Sequence, residues 1–174
     1  MVTRRMVVLL TAAFAMAAVS GCSRSPMATS GTAIQNPTFE RAHPPGFASA
    51  ATAALTGSQT VDGALGGSLS VGSFRIDVPA GAFQGSVTIS ITQSDPNILV
   101  CDIGISPPSA NGFAVPVTIV SKLPSATAMN DQWLWYDASV NAWRPIGSAP
   151  NTVTLELSSQ LWHFSTYGVE RAGW

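Results

Sequence analysis

Charge is scarce in this sequence. Asp, Glu, Lys and Arg make up 10% of its 174 residues. No cluster of Lys and Arg occurs, which excludes the basic stripe of a nucleic-acid-binding protein. Cysteine is confined to Cys22 and Cys101, and histidine to His43 and His163. That set is too small and too scattered for a Cys/His metal constellation, so neither metal nor cofactor is expected. A G-x-S-x-G elbow, a phosphate loop and paired catalytic carboxylates are all missing, which removes the commonest hydrolase and nucleotide-binding chemistries. The long apolar run, Met6–Val19, is too short to span a bilayer comfortably. What is plentiful is turn chemistry: 15 Gly and 12 Pro, together with many Ser and Thr. Few charges and many short turns suit a secreted all-β domain better than a helical one.

The N-terminus sets the compartment. Arg4 and Arg5 precede the apolar run, and small residues follow it. This is the order of a secretory signal peptide, here residues 1–21. The run closes on Val19-Ser20-Gly21-Cys22, which resembles the lipobox of bacterial lipoproteins. The resemblance implies a diacylglyceryl group on the Cys22 sulfur, cleavage before Cys22 and attachment of the mature protein to a membrane. An ordinary signal peptide with an incidental Cys is the other reading. Ser23, in place of Asp after the Cys, resembles the sorting signal of outer-membrane lipoproteins in enteric bacteria. Removing residues 1–21 takes Arg4 and Arg5 from the 8 basic residues, leaving 6 against 9 acidic ones, a net charge near −3. With Cys22 lipidated, Cys101 has no partner for an intramolecular disulfide, and its place in the apolar run Ile98–Ile103 suits a small core residue.

Residues 22–58 lack sustained periodicity and are rich in Ala, Ser, Thr, Gly and Pro. They are expected to form a flexible tether reaching on the order of 35 Å. From residue 59 to 174 the pattern becomes strand and turn. Phe74, Ile76 and Val78 alternate with Arg75 and Asp77, and Val87, Ile89 and Ile91 alternate with Thr88, Ser90 and Thr92. Period two places one row inside and the other in water. Further strands are expected at Val61–Val71 (broken by glycines), Ile98–Ile103, Val115–Ile119, Trp133–Tyr136, Ala142–Ile146, Val153–Leu157 and Leu161–Val169. About eight mostly antiparallel strands with turns at short intervals predict a single β-sandwich.

Several segments resemble the ZU-five domain, the β-sandwich of zonula occludens proteins, netrin receptors and ankyrins. The matching residues are Val78-Pro79-Ala80-Gly81-Ala82, the following Ser/Thr-Ile strand, Cys101, Pro107-Pro108, Phe113-Ala114-Val115-Pro116-Val117, Trp143 and His163-Phe164-Ser165. They cover roughly Gly66–Val169. The resemblance implies a domain acting through protein–protein contacts without a cofactor. On that basis the chain is expected to be a lipid-anchored envelope protein whose domain binds an unknown protein, or is structural.

Two candidate sites accompany that expectation. Some eukaryotic members of the family cleave their own chain between Phe and Ser of a His-Phe-Ser motif. Carried over, Ser165 would attack the Phe164 carbonyl, turning the amide into an ester that water hydrolyses, with His163 as base and acid. The competing reading is a terminal strand with Phe164 in the core and His163 and Ser165 bonded to nearby backbone. The second candidate is aromatic. Trp133, Trp135 and Trp143, with Tyr136, would offer faces for stacking on an envelope glycan. Alternatively, Trp135 and Trp143 pair across a hairpin and stabilise the sheet. A Ca²⁺ loop using Asp95, Asn97 and Asp102 lacks EF-hand spacing, and turn formation is the simpler role for these residues.

Overall fold

The computed structural model describes residues 31–43 and 53–171. The signal peptide and Cys22 lie outside the described residues. The described chain is all-β, with no α-helix and with two short 3-10 turns at Pro108–Ala110 and Ala126–Asn130.

Eleven strands form two antiparallel sheets. The strands are β1 Leu55–Asp62, β2 Gly67–Val71, β3 Phe74–Val78, β4 Ser86–Gln93, β5 Val100–Ser106, β6 Val117–Lys122, β7 Gln132–Asp137, β8 Ala142–Pro145, β9 Ala149–Asn151, β10 Glu156–Leu161 and β11 Thr166–Glu170. The six-stranded sheet has the order β1-β4-β5-β11-β7-β8, and the five-stranded sheet β2-β3-β6-β10-β9. The β-sandwich read from the alternation is therefore present, with eleven strands in place of about eight.

The observed strands depart from the expected ones at three breaks. The glycine-broken first strand is two strands, split where the amide N–H groups of Leu65 and Gly66 bond Asp62 O. Val153–Leu157 is not one strand, because Leu155 has φ 53° and residues 152–155 turn between β9 and β10. Leu161–Val169 divides into β10 and β11, which belong to different sheets, with residues 162–165 crossing between them.

The core lies between the sheets. β3 contributes Phe74, Ile76 and Val78, β4 contributes Val87, Ile89 and Ile91, and β6 contributes Val117 and Ile119. These are the rows that the period of two selected. Trp133 of β7 is fully buried (0% exposed), its ring 6.1 Å from Phe74 of the opposite sheet. Its Nε1–H donates to Leu157 O at 3.2 Å, so one side chain ties the sheets by packing and by a hydrogen bond.

The tether expected over residues 22–58 is corrected where the structure describes it. β1 starts at Leu55, paired in register with β4 from Leu55↔Gln93 to Asp62↔Ser86. Residues 31–42 form a strap that pairs with the free edge of β8 and then crosses the outer face of the six-stranded sheet. Ile34 exchanges two 2.8 Å backbone hydrogen bonds with Trp143, and Glu40 donates to Val169 O and accepts from Leu99 N–H. Phe39 packs edge-on against Trp143 at 4.8 Å. Leu134 faces outward from β7 and yet is 0% exposed. The opening for the Phe39 ring is made by Gly168, where a Cβ would lie 2.4 Å from a ring carbon. The strap thus forms a second, smaller apolar layer, and long-range pairing supplies the order that its own sequence pattern lacks.

Strand directions place the connections 63–66, 79–85, 107–116, 138–141 and 162–165 at one end of the sandwich. The 72–73, 94–99 and 152–155 connections lie at the other end, with Arg41 bridged to Ile98.

Candidate functional site

The segment His163-Phe164-Ser165 is a crossover between sheets, not part of a strand. Residues two apart share a face within a strand, and that rule does not extend to this crossover. Its backbone is held from several sides. Asn111, in the loop after the 3-10 turn Pro108–Ala110, grips the Phe164 backbone at two points: its Oδ1 accepts from Phe164 N–H at 2.6 Å and its Nδ2 donates to Phe164 O at 2.9 Å. Tyr167 O–H donates to His163 O at 2.6 Å, and Ser165 O accepts from Ile103 N–H at 3.0 Å. Phe164 is buried, edge-on to Phe113 at 4.7 Å. Burial raises the Tyr167 phenol above its usual range, so the hydroxyl stays a donor.

His163 and Ser165 are near neighbours but are not bonded to each other. His163 Nδ1 lies 3.3 Å from Phe164 O, a hydrogen bond in the tautomer that carries the proton on Nδ1, and its ring is edge-on to Trp135 at 5.2 Å. The Ser165 hydroxyl points instead to Tyr136 O at 3.4 Å. In that tautomer the Phe164 carbonyl receives two side-chain donors, while the serine beside it has no base within hydrogen-bond reach. Asn111 could not be picked out from the sequence. It sits in Pro107–Gly112, whose composition signals only a turn.

The tryptophans do not form one surface. Trp133 and Trp135 face the interior side of β7, and Trp143 lies on the outer face beside Phe39 and Tyr136. The hairpin register pairs Tyr136 with Trp143 and Trp135 with Arg144, one position away from a Trp135–Trp143 pair. A shift of one residue exchanges the faces. The hairpin itself is closed by Asp137. Its carboxylate accepts from Ser139 and Arg144 and is held below the usual carboxylate range, the Ser139 hydroxyl being the larger cause.

Among the described residues no group of three His, Cys, Asp or Glu could hold a metal ion. Asp95 accepts from Asn97 N–H in a tight turn, and Asp102 accepts from the Thr166 hydroxyl. Cys101 is buried, and desolvation raises its thiol well above the ordinary value, against nucleophilic reactivity.

Exposed apolar side chains occur at both ends of the sandwich: Val153, 91% exposed, in the 152–155 turn at one, and a group at the end that carries the crossover. Leu65 is 82% exposed and Val115 39% exposed. Val115 lies against Gly81, and Gly66 against Pro79 and Ala80, so the 63–66, 79–85 and 113–116 connections adjoin. Hydrogen bonds from Gly63 N–H to Gly85 O, from Gly81 N–H to Gly63 O and from Ala114 N–H to Ala82 O fix these loops to one another. The segment Val78–Ala82 singled out in the sequence and the segment Phe113–Val117 meet here. No protein-family model matches the chain, and no curated protein matches its sequence.

Proposed function

We propose that this chain is a lipid-anchored protein of the bacterial envelope whose β-sandwich, similar to the ZU-five domain, binds a partner protein without catalysis. The observation that carries the reading is the apolar loop end. A small, charge-poor domain presents Leu65 almost wholly to solvent on loops that are hydrogen-bonded to each other. Loops positioned by a rigid scaffold are the usual place for recognition, and exposed apolar side chains grouped on them favour protein contact. The lipobox supports attachment through Cys22 and an outer-membrane location. A photo-crosslinking amino acid at Leu65 or Val115 in the native envelope is expected to yield a discrete adduct, while the same group at exposed Thr88 on β4 yields none. Absence of adducts at both loop positions would remove the proposal.

A second reading, self-cleavage between Phe164 and Ser165, is favoured by one arrangement: the Phe164 carbonyl accepts from Asn111 and, with the proton on Nδ1, from His163. Such donors stabilise the oxyanion formed when a hydroxyl adds to a carbonyl. Cleavage would be silent under native conditions, because β11 is held between β5 and β7. Denaturing mass spectrometry of freshly purified protein is therefore the test. A peptide Ser165–Trp174, lost in Ser165→Ala, is the expected product, and a single intact mass after long incubation would dismiss the reaction.

A further inference from the structure

The outer face of the five-stranded sheet carries a cluster of charge in a chain with only 8 basic and 9 acidic residues. The Arg75 guanidinium reaches across β6, with Nε 3.0 Å from Asp77 Oδ2 and Nη1 3.1 Å from Glu156 Oε1 on β10. Val120 points outward beneath it and is only 5% exposed. Arg75 therefore covers an apolar floor with its stem while its head is fixed by two carboxylates. Beside it is a recess of about 240 Å³ lined by Ser70, Ser73, Arg75, Val120, Lys122 and Glu156.

Lys122, the chain's one lysine, is directly opposite Glu156 in register, yet the two form no ion pair. Glu156 is occupied by Arg75 through Oε1 and by the Thr154 hydroxyl, 3.1 Å away, through Oε2. The Lys122 ammonium is left with three donors and no acceptor among the described residues. Ser70 and Ser73 add hydroxyls that both donate and accept. The four charged groups cancel, so neither an anion nor a cation gains from a net field. A neutral ligand gains if its own groups donate and accept at short intervals. The volume falls below the range of about 300–1,000 Å³ usual for drug-sized ligands, which suits a single ring.

We propose that this recess binds one neutral, hydroxyl-rich ring, the terminal sugar of a glycan, held by Lys122, Arg75, Glu156 and the hydroxyls of Ser70 and Ser73. The site is on a sheet face, separate from the apolar loops and from the tryptophans, and stands whether or not a protein binds at the loop end. Full-length protein in detergent, with serine and lysine isotopically labelled, should be titrated with N-acetylglucosamine and with glucose. Saturable shifts at Ser70, Ser73 and Lys122 are expected with at least one sugar. Binding should weaken about tenfold in both Lys122→Ala and Glu156→Gln, the loss of one hydrogen bond to a charged group. A Thr88→Ala control on the other sheet should leave it unchanged. Inorganic phosphate or acetate producing the same shifts more strongly than either sugar would overturn the proposal in favour of an anion site. Shifts with none of these probes, or sugar binding unaffected by both variants, would also overturn it.

Discussion

Phe39→Ala should lower the midpoint of thermal unfolding by about 5–10 °C, from a loss of about 2–3 kcal/mol. The residue lies in a stretch whose composition reads as linker, so the size of the effect separates a strap from a tether. Phe39 fills the space above Gly168 and meets Trp143 edge-on. Its removal leaves an opening over Gly168, which is paired in register with the outward-facing Leu134 of β7. Neighbouring Gln35 is exposed, and Gln35→Ala is the control. Equal melting curves for the two variants would mean that the strap contributes nothing to the folded domain. Deleting the strap altogether should cost more than Phe39→Ala, because the backbone pairs of Ile34 and Glu40 are lost as well.

Trp133→Ala is expected to cost about 3–5 kcal/mol, more than the loss of Phe39. The indole is fully buried between the sheets, so its loss creates a cavity that both faces line. Trp133→Phe separates packing from hydrogen bonding: it keeps most of the apolar contact and removes the Nε1–H donor to Leu157 O. That variant should recover most of the loss and remain about 1 kcal/mol short of the native protein. Urea unfolding of both variants measures the two quantities. If Trp133→Ala loses less than about 1 kcal/mol, well under the cost of emptying a core site of that size, the indole is not the tie between the sheets.

The parts of this fold legible in the sequence were those governed by local period. Phe74-Ile76-Val78 and Val87-Ile89-Ile91 each announce a face, and both lie in the core. Pro116, lacking an N–H, suggests an edge position or the start of a strand; it stands just before β6, which lies between β3 and β10 and not at an edge. Val153 and Leu155 follow the same alternation but sit in a turn, because the positive φ of Leu155 reverses the chain there. The break at residues 162–165 was equally hidden. A strand that continues and a strand that changes sheets have the same alternation, and only the partners differ. Those partners are distant: Asn111 holds Phe164 across 53 positions, and Arg75 reaches Glu156 across 81. The same distance concealed the strap, whose order comes from β8, β11 and the 94–99 connection and not from its own residues.

The strap also changes the geometry of attachment. Were Cys22 lipidated as proposed, the chain between it and the folded domain would be residues 23–30 and not the stretch up to residue 58, since Gly31 already lies against Pro145 of β8. Fully extended, so short a segment spans about 30 Å at most. A domain so anchored would stay within that distance of its lipid. Gly31 meets β8 at Pro145, away from the 138–141 hairpin and the apolar loops that share its end of the sandwich. A partner that meets Leu65 and Val115 would then have to come to the membrane.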